Sequence, residues 1–413
     1  MALVVSLLLA AGHADAAPKG KVVIGMSSSP PTFDPHRVTG FPLHQHYPLV
    51  FDNLFNRDQN GKMIPGLATS WKYISPTVLE LKIRQGIKFA NGEDVDAHAV
   101  KFSLDRIRDP KLKSRQRRIV ATIKEIVVVD KYTVRIHTKK PDTFLIEPMA
   151  NYVLIVPPKY YSKNSLEFLA RNPVGSGPYK LVRWKKGEEF VYEARPGYWN
   201  PSKQRIKSAV YKIIPEPNTR VSALLAGDVD FIDVVPPPLV NLLKNSPTVD
   251  VITAPSRRTC NIGMIIKGKA PWTDVRVRKA LNYAVDKEGL LKNILQGYGN
   301  VVASNVGPGS FGYNPDLKPY PYDPAKARKL LAEAGYANGF EVEIVVALGR
   351  FLMGKQATEA IAGQLAKVGI KAKVKTVTWG GYNKRSKTRW EPHTKPFFYL
   401  QCRMDMYAHS AFM

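Results

Sequence analysis

Residues 323–335, DPAKARKLLAEAG, and residues 357–375, ATEAIAGQLAKVGIKAKVK, decide the fold class. In the first, Asp323 is an N-cap residue with Pro324 at the first helical position. Ala327, Leu330, Leu331 and Ala334 then recur on one face, and Gly335 stops the helix. In the second, Ala357, Ile361, Leu365 and Val368 make another buried stripe that closes at Gly369. The run Ile370-Lys371-Ala372-Lys373-Val374-Lys375 follows, alternating apolar and charged as a half-buried strand does. A helix feeding a strand in this way is the rhythm of an α/β chain.

The same rhythm extends upstream. Asp286 caps a helix predicted to run to Gly297, and Thr273 is placed to cap one with Val277, Ala280, Leu281 and Ala284 inward. Asn218 or Thr219 caps a helix through Leu224 and Leu225 that stops at Gly227, before a strand Val229-Asp230-Phe231-Ile232. Nearer the start, Leu79 to Arg84 alternates as a strand, and Val100, Leu104 and Ile107 take helical spacing. Asp130-Lys131 turns a hairpin between Ile123 to Val129 and Tyr132 to Thr138. The first strand, Lys21-Val22-Val23-Ile24-Gly25, runs into the polar, proline-rich loop Ser27 to Pro35, and a polar loop at a strand's end is where α/β proteins place ligands.

At 413 residues the chain exceeds one simple core, so two or more compact units are expected. Its 61 Lys+Arg against 34 Asp+Glu give a net charge of +27. The cations are spread along the sequence, with local enrichment at Lys101 to Arg118 and Lys371 to Arg389, which reads as a solvated basic surface and not as a nucleic-acid interface. Residues 3–12 form an apolar run followed by Ala14-Asp15-Ala16, a small-residue cleavage pattern, so residues 1–16 read as a signal peptide. The run is well short of the ~20 residues that cross a bilayer, and no Cys follows it to accept a lipid. A soluble, exported, unanchored protein is expected. Cys260 and Cys402 belong to no paired motif, and the sequence leaves their pairing open.

Catalytic motifs are absent: no Gly-x-Ser-x-Gly elbow, phosphate loop, His-Glu-x-x-His or dinucleotide fingerprint occurs. In Gly175-Ser176-Gly177-Pro178-Tyr179 the proline removes an N–H from any phosphate cradle, so the segment reads as a tight structural turn. His36, His44 and His46 cluster in sequence with no carboxylate-rich set nearby to complete a coordination sphere, and no metal or cofactor is expected. Trp71, Trp184, Trp199, Trp272 and Trp379 read as packing residues.

Several stretches together resemble one family. They are TFDPHRVTG (32–40), WKYISPTVLELKIRQGIKFANGEDVDAHAVKFSLDRI (71–107), NPVGSGPYKLVRW (172–184) with YWN (198–200), PWTDVRVRKALNYAVDKEGLL (271–291) and YDPAKARKLLAEAGYANGFEVEI (322–344). In this order they are similar to the bacterial extracellular solute-binding proteins of family 5, which serve ATP-driven importers of peptides, nickel chelates and opines. The resemblance implies a two-lobed α/β fold of periplasmic-binding-protein type II with an extra inserted domain. It assigns residues 17–45 and 172–255 to a discontinuous first lobe, 46–171 to the inserted domain and 256–413 to the opposing lobe.

By the same resemblance the protein is a non-catalytic monomeric receptor. It binds a small peptide or another mid-sized polar solute between its lobes and hands it to membrane permease subunits of an ABC importer. Ser27, Ser28, Ser29 and Thr32 are the first lobe's ligand contacts, and Asp405 receives a peptide's ammonium group. Nickel-chelate, opine or sugar reception is the alternative within the class, and a basic nucleic-acid-binding protein is the distant one. The chain departs from the family pattern at Ile266, where an Asn is usual, at Cys402-Arg403-Met404-Asp405, which lacks the usual Trp, and across Ser386 to Phe398. The family's return into its first domain would follow Met413, and without it the first lobe is expected to be the least stable part.

Overall fold

A computed structural model gives the fold and describes residues 18–37, 46–58, 62–253, 258–264, 270–308, 313–379, 381–382, 385 and 397–404. The apolar leader, the cleavage pattern, His44, Ile266 and Asp405 lie outside the described residues. The chain divides into two compact units, Met1–Val23 with Pro30–Tyr211, and Ile24–Ser29 with Lys212–Met413. It passes from one to the other within β1 (Lys19–Met26) and β10 (Ile206–Ile213). Residues 212–253, which the resemblance groups with the first lobe, cluster with the C-terminal unit.

In the first unit the short pair β2 (Phe55–Arg57) and β3 (Met63–Pro65) precedes a four-stranded antiparallel sheet. That sheet is ordered β4 (Ala68–Ser75), β5 (Val78–Ile83), β7 (Thr133–Thr138), β6 (Ile123–Asp130). The predicted hairpin is the β6–β7 pair. Alternation puts Leu79, Leu81 and Ile83 of β5 and Val134 and Ile136 of β7 into one core, where they meet Val100, Leu104 and Ile107 of the Ala97–Arg108 helix. Asp96 caps that helix through the Ala99 N–H. The hairpin β8 (Tyr179–Lys185) and β9 (Glu189–Ala194) follows, and β10 neighbours β9.

In the second unit the end of β1 pairs in parallel with β11 (Phe231–Ile232), Ile24 opposite Phe231 and Gly25 opposite Ile232. A four-stranded sheet is ordered β12 (Arg258–Met264), β15 (Phe397–Met404), β13 (Glu341–Ala347), β14 (Lys371–Val377). β13 and β14 run parallel, as strands joined by a crossover helix must, and the Gly354–Ala366 helix is that crossover. Ile361 and Leu365 from it, Ala327 and Leu331 from the Pro324–Glu333 helix and Val277 and Leu281 from the Val275–Ala284 helix bury one core around Trp272. Two of the N-caps and both glycine stops of these helices are those read from the sequence: Asp323 accepts from the Lys326 N–H, Asp286 from the Gly289 N–H, and Gly335 and Gly369 take positive φ. β12 and β15 are antiparallel, with Cys260 opposite Cys402, and a disulfide joins the two.

Four boundaries differ from the sequence reading. Glu216, not Asn218 or Thr219, caps the helix of Pro217–Leu225, because Pro217 claims the first helical position and puts the cap one residue before itself. Asp274 caps the next helix, since Thr273 closes a short 3-10 turn by donating its hydroxyl to the Ala270 carbonyl. The helix after Asp286 ends at Asn293, short of Gly297. The strand expected from Val229 is only Phe231–Ile232, because Val229 and the Asp228 N–H still bond back to the Ala223 carbonyl.

Candidate ligand site

The loop that follows β1 is divided between the units. Ser27, Ser28 and Ser29 belong to the second unit and are partly or fully exposed just beyond the carboxyl end of β1. Thr32 belongs to the first, and its side-chain oxygen accepts the Asp34 N–H at 3.1 Å while its carbonyl accepts from the Tyr47 hydroxyl. Thr32 is therefore committed to shaping the loop.

Beyond Thr32 the loop is held by a buried polar cluster. Arg106 grips Asp34 through two nitrogens, at 2.9 and 2.7 Å, and also donates to His36 Nδ1 at 3.0 Å. A cationic guanidinium can only donate, so Nδ1 accepts and the His36 Nε2–H donates to the Leu154 carbonyl at 2.8 Å. Ser114 and Gln116 donate to the carbonyls of His36 and Pro35, and the Tyr161 ring lies 4.9 Å from the Arg106 guanidinium. Burial pushes the Asp34 carboxyl up, but the Arg106 hydrogen bonds and charge outweigh it and hold the group below its ordinary range.

The two described loop histidines are thus core residues. Burial, helped by the Arg106 charge, pushes His36 down to about 4, and burial pushes His46, edge-on to Phe190 and Tyr211, down to about 3. The ordinary value is 6.5. The fold therefore favours the neutral rings, a stabilisation present in full above about pH 7 and lost as pH falls through 6.5 toward 4 and below. At 1.36 kcal/mol per pKa unit, His36 alone accounts for roughly 3 kcal/mol of that loss. Calorimetry between pH 7 and 4 should show a steadily falling melting temperature, with a smaller fall in the variant His36→Gln, His46→Phe; an unchanged melting temperature in the wild type would contradict this.

The glycine loop is packing, as its sequence indicates. A Cβ on Gly175 would sit 2.1 Å from the Val50 carbonyl oxygen, and the Gly177 N–H already donates to that oxygen at 2.9 Å. Arg195 takes the carbonyls of Gly177 and Ser176 at 3.1 and 2.8 Å. The YWN stretch is structural too: Tyr198 and Trp199 donate to the buried Asp52 carboxylate at 2.8 and 3.0 Å.

A different group of residues gathers in the second unit, at the ends of its parallel strands. Gly349, at φ +62, turns the chain after β13 and delivers Arg350 and Phe351. Trp379 and Tyr382 follow the end of β14. Arg258 opens β12, and since β12 runs antiparallel to β15 and β15 parallel to β13, it starts at that same edge of the sheet. Trp379 is 43% exposed, against 1% for Trp272, and its ring stacks on Tyr382 with centroids 5.2 Å and planes 13° apart. Phe351 meets both rings edge-on at 6.3 and 5.9 Å, and the Tyr382 hydroxyl anchors the stack by donating to the Leu400 carbonyl at 2.6 Å. The Arg350 guanidinium lies 4.9 Å from the Trp379 centroid, and that of Arg258 lies 5.7 Å from the Phe351 centroid.

Electrostatics sharpen the picture. Burial pushes Arg258 down to about 10, and repulsion from Arg350 adds to it. Burial also lowers Arg350, which the charge of Asp233, just past the end of β11, partly offsets. Two half-buried guanidiniums, each against an aromatic face, lie at one edge of the sheet, and the planar fork of a guanidinium is suited to planar anions such as carboxylates. Among the described residues no group of three or more His, Cys, Asp or Glu side chains could hold a metal.

The pattern of the bacterial extracellular solute-binding proteins, family 5 Middle, matches residues 62–395. The glutathione-binding protein GsiB of Shigella flexneri is 32% identical over 361 residues, 87% of this chain and 70% of the relative. That of Escherichia coli K12 matches to the same extent. The chain belongs to the family 5 extracellular solute-binding proteins. Among solved structures of similar fold, the periplasmic binding protein DppA of Helicobacter pylori, in complex with the peptide STSA, has a TM-score of 0.83 at 26% identity, covering 93% of this chain and 78% of that one. NikZ of Campylobacter jejuni, in complex with Ni(L-His), has 0.81 at 25%, covering 93% and 77%. The agropinic acid complex of AgaA from Agrobacterium has 0.80 at 29%, covering 94% and 78%. The α/β periplasmic-binding-protein class expected from the sequence is thereby established, and this family 5 protein binds a solute.

The sequence reading did not single out Arg258, Arg350, Phe351 or Trp379 as site residues. Arg350 and Trp379 each lie within three residues of a strand's carboxyl end, and that position in an α/β chain was the signal available for them.

Proposed function

We propose that this family 5 protein is the periplasmic receptor of an ABC importer for peptides or peptide-like solutes, and that it binds without catalysis. The observation that carries the reading is the Arg350 guanidinium poised 4.9 Å from the exposed Trp379 ring at the ends of β13 and β14. Arg350 takes the ligand's carboxylate and the Trp379 face takes a side chain. Ser27, Ser28 and Ser29 add polar contacts from the end of β1, and Asp405 receives the ammonium group. The GsiB and DppA relatives, named for glutathione and crystallised with a peptide, support a peptide over a metal chelate. Removal of residues 1–16 on export, and a division into a first lobe, an inserted domain and an opposing lobe, complete the proposal. The buried core of its own that spans Leu54 to Ile155 supports an inserted domain, and no helix among the described residues is long and apolar enough to cross a membrane.

A thermal-shift panel of di- and tripeptides, glutathione, nickel–histidine and agropinic acid tests the reading. A ligand that binds only the folded state stabilises it by about 2.7 kcal/mol at a hundred times its dissociation constant, so peptides should raise the melting temperature by several degrees. A shift with nickel–histidine or agropinic acid and none with any peptide would overturn it.

A further inference from the structure

The run of cations that follows the Ala97–Arg108 helix in the first unit takes no part in the ligand site. Beyond that helix the chain makes two 3-10 turns, Pro110–Leu112 and Arg115–Arg118, with Lys113 between them at φ +52. Burial alternates along the segment: Leu112, Ser114 and Gln116 are buried, and Lys111, Lys113, Arg115 and Arg117 stay exposed between them. The buried side chains are pinned, because Ser114 donates to the His36 carbonyl and the Gln116 amide donates to the Pro35 carbonyl at 2.6 Å. The segment is therefore a fixed ridge with its cations turned outward. Lys113 adopts a left-handed conformation that glycine or asparagine takes more readily, so its charge is kept there at a conformational cost. The neighbouring acids are engaged elsewhere: Asp105 pairs with Lys101 and Arg108, and Asp109 accepts the Lys111 N–H at the start of the first turn. No carboxylate among the described residues pairs with the side chains of Lys111, Lys113, Arg115 or Arg117.

We propose that this ridge is a docking surface for an anionic phospholipid membrane, which holds the receptor reversibly against the bilayer. The proposal goes beyond the ligand reading and does not depend on which solute binds. Five of the seven exposed residues from Asp109 to Arg118 are Lys or Arg, and none is aromatic. A protein partner would be met by an aromatic or apolar centre, and lysine is depleted from such interfaces. A fluid anionic bilayer requires only a density of cations within a Debye length of its surface, and each exposed Lys or Arg adds to the attraction. Because the backbone is already fixed by Ser114 and Gln116, only side chains need to be ordered on docking.

Co-sedimentation of the full chain with vesicles of phosphatidylglycerol and phosphatidylcholine in equal parts tests this, against vesicles of phosphatidylcholine alone. Binding to the anionic vesicles only is expected, falling at least about 10-fold as salt is raised from about 0.05 to 0.5 M. The whole chain carries +27, so docking by the ridge has to be separated from general attraction. The variant Lys111→Gln, Lys113→Gln, Arg115→Gln, Arg117→Gln should lose at least about 10-fold in affinity for anionic vesicles. The variant Lys318→Gln, Lys329→Gln, Lys371→Gln, Lys373→Gln removes the same charge from exposed positions elsewhere and should stay within about threefold of the wild type. Equal losses in the two variants, or no binding of the wild type to anionic vesicles, overturn the proposal. A ridge-dependent affinity for poly-L-glutamate as large as that for the vesicles would assign the surface to an acidic polypeptide and overturn it as well. Acetylation of the wild type reads the same contact without any variant: anionic vesicles should protect Lys111 and Lys113 and leave Lys318 and Lys329 reactive. Ridge lysines as reactive on vesicles as in free protein contradict the proposal even if the ridge variant fails to fold.

Discussion

Arg350→Ala is expected to weaken peptide binding by roughly 100- to 1,000-fold, about 3–4 kcal/mol, the scale for removing one partner of a desolvated charge pair. Most of that loss should appear as faster dissociation, since the contact forms only after docking. Arg350→Lys should recover only part of it, because an ammonium group has neither the planar fork nor the stacking on Trp379 that orients the guanidinium. The melting temperature of the free protein should change little, because removing the repulsion with Arg258 is offset by losing the attraction of Asp233. Calorimetric titration of wild type and both variants checks this, and affinities within threefold of one another would take Arg350 out of the site.

The largest effect on stability is expected from Arg106→Leu. Asp34 is wholly buried and its carboxylate depends on the two Arg106 contacts, so the variant leaves an uncompensated charge in the core of the first unit. A loss of about 3–5 kcal/mol follows, read as a lower midpoint of chemical denaturation. The double variant Arg106→Leu, Asp34→Asn should recover a substantial part, since a neutral amide costs less to bury than a stranded carboxylate. A loss below about 1 kcal/mol in the single variant, or none recovered in the double, would contradict this account of the cluster.

How much of this was legible in the sequence depends on whether the signal was local. Asp286, Asp323, Gly335 and Gly369 mark helix ends by their own conformational chemistry, and the structure places them there. Pro178 and the flanking glycines marked a packed turn, and Val50 fills the space beside them. Capping errors at Glu216 and Asp274 arose where a neighbouring proline or 3-10 turn shifted the boundary by one to three residues, a competition between adjacent signals that composition does not rank. His36 and Arg106 lie 70 residues apart, and Asp34 and Arg106 72, so nothing in either stretch discloses the pair. The same holds for the ligand site. Arg258, Arg350 and Trp379 are each unremarked in their own windows and acquire meaning only through the register of β12, β15, β13 and β14, which brings their strand ends to one edge. Trp379 was read with Trp272 as packing; the two differ in exposure, and exposure is a property of the assembled sheet.

The central claim is that a peptide's carboxylate is taken by Arg350 beside the Trp379 face. A crystal structure of the protein with a bound tripeptide tests it most directly. The account predicts a ligand carboxylate about 2.7–2.9 Å from the Arg350 guanidinium, with a ligand side chain against Trp379. A peptide bound with neither carboxylate in contact with Arg350, or seated away from the ends of β13 and β14, would contradict it.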